Sequence, residues 1–301
     1  MMSKKILITG SNGLLGQTLV NLLMKAPENY SVFGLSKGDN RMNRNDFVYY
    51  DVDITNYDHL KECVSSIQPS FIINTAAMTN VDTCEDKPNE CNDLNIEAVK
   101  YLTQICAKLN IHFIQISTDF IFDGVKGIYK ETDLPNPLSL YGHSKLKAEN
   151  IVKSSGVNFS ILRTILVYGK GINLKRNNIV LWVKDMLENN KEISMVDDQY
   201  RMPTYVEDLA LVCKLSIDKN IRGIYHVSSN ELLSVFEIAN QIATVFRLNK
   251  KLIKPISTKT LNQKAVRPLK TGFDLSKTTR DLEFHSTSFL EGLKRFKQTL
   301  T

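Results

Sequence analysis

Lys4-Lys5-Ile6-Leu7-Ile8-Thr9 reads as a short buried strand, apolar after its first two residues, and Gly10-Ser11-Asn12-Gly13-Leu14-Leu15-Gly16 turns it into a helix over Gln17 to Lys25. Glycines spaced G-x-x-G-x-x-G let backbone amides approach a pyrophosphate at the positive end of that helix. On its own the triplet is weak evidence, and a tight structural turn is the alternative. Placed between a strand and a helix it has the context that a dinucleotide fingerprint requires. Gly10, Asn12, Gly13, Leu14, Leu15 and Gly16 thereby become candidate cofactor-binding positions.

The same alternation continues outward. A second strand, Ser31 to Ser36, ends about twenty residues past Gly16, where an NAD-binding chain places an acid on the ribose hydroxyls. This sequence has Ser36 and Lys37 there, with Arg41 and Arg44 close behind. A hydroxyl and cations suit a 2′-phosphate, which favours NADP; Asp39 would reach the ribose if the strand ended slightly later. Phe47 to Ile54 is a third strand whose end, Asp53 with Ile54, could meet an adenine amino group, or Asp53 could simply cap the helix from Tyr57 to Ile67. The fourth strand, Phe71 to Asn74, runs into Thr75-Ala76-Ala77-Met78-Thr79, where Ala76, Ala77 and Thr79 leave room for a cofactor in the crevice. A helix from Glu90 to Leu109 carries Asn95, a further cofactor candidate, and a fifth strand, His112 to Ile116, ends in Ser117-Thr118-Asp119. This recurrence predicts an α/β fold with a doubly wound parallel sheet.

Tyr141-Gly142-His143-Ser144-Lys145 opens the next helix. Tyr and Lys one turn apart share a helix face, so ring oxygen and ammonium can converge on one reacting group, although the same spacing occurs on many solvated faces. At an effective dielectric of ~20 and a separation of ~4 Å the pair attracts by ~4 kcal/mol, an upper bound of about three pKa units. The phenol, ordinarily near ~10, is then expected to titrate near neutrality, where a general acid works best. Ser117 and Thr118 could hold a carbonyl oxygen beside Tyr141; a merely polar strand end is the alternative. The loop from Phe122-Asp123-Gly124 to Pro137 is long enough to form a lip over the site.

After a strand from Phe159 to Arg163, continuing to Val167-Tyr168-Gly169, the alternation becomes irregular. Helices are expected over Asn177 to Asn189, Tyr205 to Ile217, Ser234 to Phe246 and Ser288 to Lys297, with strands at Ile193 to Val196 and Ile224 to Ser228. The polar stretch Lys254 to Lys264, with Pro255, reads as a loop. We expect a dinucleotide-binding domain over 1–168 with a return segment at 205–228, and a smaller carboxyl-terminal substrate domain over 169–204 and 229–301. Composition narrows the class. No apolar run of about eighteen residues exists to span a membrane, and the amino-terminal run is too short for a signal peptide. Five cysteines without a C-x-x-C pair read as reduced thiols in a cytoplasm. His59, His112, His143, His226 and His285 are scattered without zinc-ligand spacing. Lys and Arg number 38 against 32 acids, a mild, unclustered excess that suits a small anionic ligand rather than a nucleic-acid track.

Together these residues resemble the extended short-chain dehydrogenase/reductases, and most closely the dTDP-4-dehydrorhamnose reductase family, over nearly the whole chain. The markers are Ile8 to Gly16; Ile73-Asn74-Thr75-Ala76-Ala77 with Val81-Asp82 and Glu85; and Ser117-Thr118-Asp119-Phe120-Ile121-Phe122-Asp123-Gly124. They continue with Tyr141 to Lys145, Asp197-Asp198-Gln199 before Pro203-Thr204, and Arg267-Pro268. The STD-x-x-FDG segment and the late Arg-Pro discriminate best, because glycine turns and Y-x-x-x-K belong to the whole superfamily. The resemblance implies a Rossmann-like fold, Thr118, Tyr141 and Lys145 as the catalytic set, and Tyr141 and Lys145 also touching the cofactor. It implies NADPH-dependent reduction of the C4 ketone of a nucleotide-linked 4-keto-6-deoxysugar, as in dTDP-rhamnose and polysaccharide precursor synthesis, with NAD as the alternative cofactor. Thr118 would hydrogen-bond the ketone, Tyr141 would protonate it, and Lys145 would hold the nicotinamide ribose.

Val81, Asp119, Phe120, Leu166, Arg201 and Arg267 are the substrate-side positions. Phe120 stands where the related sugar dehydratases carry an acid, which disfavours dehydration. Leu166 replaces the aromatic residue usual in the rhamnose-forming reductases, so the hexose could differ, and Tyr200-Arg201-Met202 replaces small residues before Pro203-Thr204. Arg201 and Arg267 could each bind a substrate diphosphate or form a surface ion pair. Two other functions stay open: a nucleotide-sugar 4-epimerase with a retained NAD, and a non-catalytic NADP-binding regulatory subunit. Expected partners are a nucleotide-sugar substrate and, for assembly, a second copy in a homodimer, with no nucleic acid and no membrane. No metal is assigned, although Asp197 and Asp198 leave a divalent ion open.

Overall fold

The computed structural model describes residues 3–261 and 263–300; Met1 and Met2, Asn262 of the polar stretch and Thr301 of the expected substrate domain lie outside the described residues. A seven-stranded parallel sheet forms around the opening strand. Its members are β1 (Lys4–Thr9), β2 (Tyr30–Ser36), β3 (Val48–Asp51), β4 (Phe71–Asn74), β5 (His112–Thr118), β6 (Phe159–Thr164) and β7 (Gly223–Val227). Their order is β7-β6-β5-β4-β1-β2-β3. Side chains alternate across the sheet, with Ile6 and Ile8 buried on one face and Leu7 on the other. Helix α1 (Leu14–Leu23) covers the first face, whereas α2 (Tyr57–Ile67), α3 (Ala98–Leu109) and α4 (Leu140–Ser154) cover the second. Helix α5 (Val206–Asp218) returns to lie beside α1. This is the doubly wound sheet that strand–helix alternation predicts.

The chain winds from β1 to β3 in one direction and then crosses back to β4 on the other side of β1. At such a reversal the carboxyl ends of neighbouring strands diverge into a crevice. Residues 10–16 and 75–79 therefore line one opening.

A second, four-stranded sheet joins Leu233–Ser234, Tyr200–Arg201, Lys270–Phe273 and Gly127–Tyr129. Gly127–Tyr129 comes from the loop expected as a lip, within the span assigned to the dinucleotide-binding domain. Phe122 stacks on Tyr129 at 4.1 Å, so this loop is pinned into the smaller sheet. The polar stretch corrects a further expectation. Ile253–Ile256 is a strand pairing in parallel with Ile193–Val196, and Pro255 is tolerated because this two-stranded ladder has open edges. Helix one starts at Leu14 rather than Gln17, and the helix expected from Glu90 is three pieces: Pro88–Asn92, a π turn at Asp93–Glu97, and α3. Among the described residues no helix is long and apolar enough to cross a membrane.

Candidate active site

The crevice between β1 and β4 is shaped by absent side chains. Gly10 has φ +68°, and a Cβ there would lie 2.7 Å from the Ala76 nitrogen. Gly13 caps α1 without a side-chain hydrogen bond, and no acid occupies the first turn, so among the described residues the amides of Leu14, Leu15 and Gly16 have no side-chain acceptor. An anionic diphosphate fits that cradle.

Several residues read as cofactor contacts also have protein partners. Asn12 donates to the Asp39 carbonyl and the Tyr49 hydroxyl, both at 2.9 Å, and accepts from the Arg41 nitrogen, which fastens residues 39–41 to the glycine turn. The Ser36 hydroxyl accepts from the Asn12 nitrogen at 3.1 Å. Lys37 and Asp53, assigned separately to ribose and adenine, pair with each other at 2.8 Å, and Asp53 also caps Thr55. Asn56, not Asp53, caps α2. Ile54 is core. Asn95 sits in the π turn, with Oδ1 accepting from the Met78 nitrogen at 2.8 Å and Nδ2 donating to the Met78 carbonyl and the Ser144 hydroxyl. It braces the crevice wall rather than facing into it.

Tyr141 and Lys145 converge on the carboxyl end of β5. Ser139 caps α4 by accepting from the Gly142 nitrogen, and a Cβ on Gly142 would stand 2.3 Å from the Phe120 carbonyl oxygen. That close approach seats Tyr141 against Phe120, ring centroids 5.7 Å apart, with Thr118 near its hydroxyl. Gly142→Ala should lower stability by about 1–3 kcal/mol, because a backbone carbonyl cannot swing aside; urea unfolding with an unchanged slope checks it.

Tyr141 is 8% exposed and Lys145 4%. Lys145 Nζ donates to the Ile116 carbonyl at 2.7 Å. Burial lowers its pKa from 10.5 to about 8, against the pull of Glu149. The expectation of a neutral-range phenol is not met: burial pushes Tyr141 above its usual value, with Thr118 opposing. Desolvation disfavours phenolate and ammonium alike, and sequence spacing contains no information on it.

Beneath these groups lies a network that sequence reading missed. Glu149 takes Arg163 in a two-pronged contact at 2.9 and 2.8 Å and the Ser117 hydroxyl at 2.6 Å. Glu149 stands one turn beyond Lys145 and two beyond Tyr141, so its face was readable from helical spacing. Its partner on β6 was not.

On the substrate side, Asp119 is buried, accepts from the Thr271 hydroxyl at 2.5 Å, and has Arg201 Nε 3.8 Å away. Burial pushes its carboxyl up, with Arg201 opposing. Arg201 is neither a free diphosphate ligand nor a surface ion pair. At 5% exposure it donates to the carbonyls of Tyr200 and Pro268, both at 2.7 Å, and of Leu269, clamping the smaller sheet. Its guanidinium carbon lies 5.7 Å from the Phe120 ring. Arg267 forks onto Asp82 at 3.1 and 2.6 Å, next to half-buried Val81. Leu166 follows β6 with φ +43°, a conformation leucine rarely adopts and one that clusters at functional sites. Asp198 accepts from Thr258, and no group of three or more metal-binding side chains occurs among the described residues.

Sheet, cradle and Thr-Tyr-Lys cluster define an extended short-chain dehydrogenase/reductase, a class of NAD(P)-dependent oxidoreductases. The chain belongs to the RmlD substrate binding domain family, whose model matches residues 4–301, and the resemblance to dTDP-4-dehydrorhamnose reductases is borne out. It is 30% identical to dTDP-4-dehydrorhamnose reductase of Aggregatibacter actinomycetemcomitans, covering 97% of this chain and 98% of that protein. It is also 30% identical to methionine adenosyltransferase 2 subunit beta of Mus musculus, covering 97% of this chain and 86% of the relative. A crystal structure of dTDP-4-dehydrorhamnose reductase from Bacillus anthracis in complex with NADP superposes with a TM-score of 0.88 at 31% identity, covering 99% of this chain and all of that one.

Proposed function

We propose that this protein reduces the C4 ketone of a nucleotide-linked 4-keto-6-deoxysugar with NADPH. The observation that carries the reading is the buried Thr118–Tyr141–Lys145 cluster at the carboxyl end of β5, the same end of the parallel sheet as the glycine cradle after β1. NADPH supplies the hydride. The amides of Leu14, Leu15 and Gly16 hold its pyrophosphate, and Ala76, Ala77 and Thr79 line its crevice. Arg41, whose guanidinium makes no hydrogen bond or ion pair among the described residues, is the cation left for a 2′-phosphate beside Ser36. Thr118 hydrogen-bonds the ketone oxygen and Tyr141 gives it a proton as it becomes an alkoxide. Lys145 holds the nicotinamide ribose and favours negative charge at the reacting oxygen, a preference that counts more in the transition state than in the ketone. Val81, Phe120 and Leu166 face the sugar, and Arg267 turns from Asp82 to the substrate diphosphate.

In this reading residues 1–168 and 205–228 hold the dinucleotide, the remainder holds the sugar nucleotide, and the protein works in the cytoplasm, as a homodimer. The test is NADPH consumption against a panel of 4-keto-6-deoxysugar nucleotides. Turnover is expected, with kcat/KM falling above pH about 8 as Lys145 in the free protein loses its proton. A panel without turnover overturns the proposal. A second reading, a cofactor-binding regulatory subunit, draws on the likeness to methionine adenosyltransferase 2 subunit beta, and co-purification with a larger enzyme would favour it.

A further inference from the structure

Cys84 and Cys91 take no part in this chemistry, yet they lie against it. They are 0% and 2% exposed and form one apolar cluster with Tyr141, flanked by Met78, Val81 and Phe120. They belong to two short helices, Val81–Asp86 and Pro88–Asn92, joined at Lys87. Their sulfurs stand 2.7 Å apart, closer than two unbonded sulfurs rest. The remaining gap to the disulfide length of about 2.05 Å is under an ångström. Cys91 Sγ also meets Asn95 Nδ2 at 3.4 Å and the Ser144 hydroxyl at 3.7 Å, the side chains that brace α4 and the crevice wall. The Cys84 thiol holds Cys91 below the usual thiol value; burial opposes this, while Ser144, Asn95 and Lys145 assist. Cys84 is pushed up by Cys91 and by burial. Of the two, Cys91 is the readier to ionise to the nucleophilic thiolate, and it lies beside a thiol able to resolve it. Cys63, Cys106 and Cys213 are buried free thiols, and burial raises each.

We propose that Cys84 and Cys91 are a redox-responsive dithiol in the floor of the Tyr141 pocket, oxidised reversibly to a disulfide by a small two-electron oxidant, and that this oxidation weakens NADPH binding and turnover. With an azo oxidant, the Cys91 thiolate adds to one nitrogen of the N=N bond and the other nitrogen takes a proton. Cys84, giving up its own proton, attacks Cys91 Sγ, forms the S–S bond and expels a hydrazine anion that is then protonated. Two thiols are oxidised and one azo bond is reduced to a hydrazine. Closing the sulfur gap draws the two helices together and withdraws Cys91 from Asn95 and Ser144. Asn95 holds Met78 in the crevice wall, and Val81–Asp86 carries the Asp82 that binds Arg267. Exposed Thr79 and half-buried Met78 and Val81 form the outer wall, so the reagent has to be small.

The turnover half of this proposal rests on the reductase reading; thiol state and NADPH binding do not. The experiment treats the full chain with diamide and then dithiothreitol, following free thiols, peptide linkage, NADPH affinity by fluorescence, and NADPH consumption. Thiols should fall from five to three with a Cys84–Cys91 linkage, the NADPH Kd should rise about fivefold or more, and dithiothreitol should restore both. Cys84→Ser should form no linkage and keep its affinity in diamide. Five thiols after treatment, a linkage with unchanged affinity and turnover, or an equal response in Cys84→Ser would overturn the proposal. Failure of the reductase reading would show separately, as a reduced protein that binds NADPH and consumes none.

Discussion

Replacing Tyr141 with Phe lowers turnover by roughly 10²–10⁴-fold, the contribution of a positioned general acid, while NADPH binds the variant as it binds the original chain. The change deletes one oxygen and leaves the ring, with its edge-to-face contact on Phe120 and its apolar neighbours Cys84 and Cys91. Thr118 still donates to Asp119 and accepts from the Phe120 nitrogen, so the end of β5 keeps its shape. The direction of the Tyr141 shift supports the role as an acid. Burial holds the phenol protonated across the neutral range, so its proton is in place before any hydride arrives. An alkoxide is about as basic as hydroxide, whose conjugate acid has a pKa of ~15.7, and is strong enough to take that proton even from a weakened acid. Single-turnover kinetics with a fluorescence titration of NADPH separates the two quantities. Undiminished kcat would remove Tyr141 from the mechanism, and parallel loss of affinity would make it a structural residue.

The sheet was legible because its signal is local. Ile6, Leu7 and Ile8 between a charged pair and a glycine turn can hardly be anything but a strand buried on both faces, and Ser234 with Glu237 announces the start of its helix by a reciprocal cap. The smaller sheet was not legible for the opposite reason. Tyr200–Arg201 and Leu233–Ser234 are two residues each, too short to display a period of two, and exist only because Tyr200 meets both Ser234 and Lys270 across long stretches of chain. The site divides the same way. Glycine spacing and the Tyr–Lys turn are carried by neighbours in sequence. What Arg201 and Arg267 touch at rest is set by partners 67 and 185 residues away, which spacing along the chain does not reveal: Arg201 clamps Pro268 and Arg267 rests forked on Asp82. Burial is the other missing quantity. The attraction between a phenol and an ammonium can be written down from their spacing, but the cost of enclosing both requires the walls around them.

Arg163→Leu is expected to lower stability by about 3–5 kcal/mol, more than any single apolar truncation on the surface, because it strands a carboxylate in the core. Arg163 and Glu149 are 1% and 0% exposed. The guanidinium supplies two of the hydrogen bonds on that carboxylate, lies 5.4 Å from the Phe122 ring, and meets His226 at 3.4 Å. Leucine preserves part of the apolar contact and none of the charge, leaving Glu149 with the Ser117 hydroxyl and the attraction of Lys145 one turn away. The double variant Arg163→Leu with Glu149→Leu should recover most of the loss, since replacing a buried ion pair by apolar groups is often neutral, whereas breaking it is not. Urea unfolding of the single and double variants measures both. A loss below about 1 kcal/mol in Arg163→Leu would mean that water reaches Glu149, whereas a double variant no better than the single would show that the arginine acts by its shape. Because Glu149 is also the counter-charge nearest Lys145 along α4, the double variant carries a second consequence: with that support gone, burial acts on Lys145 against weaker opposition, and the alkaline limb of kcat/KM should move to lower pH even where the fold is restored.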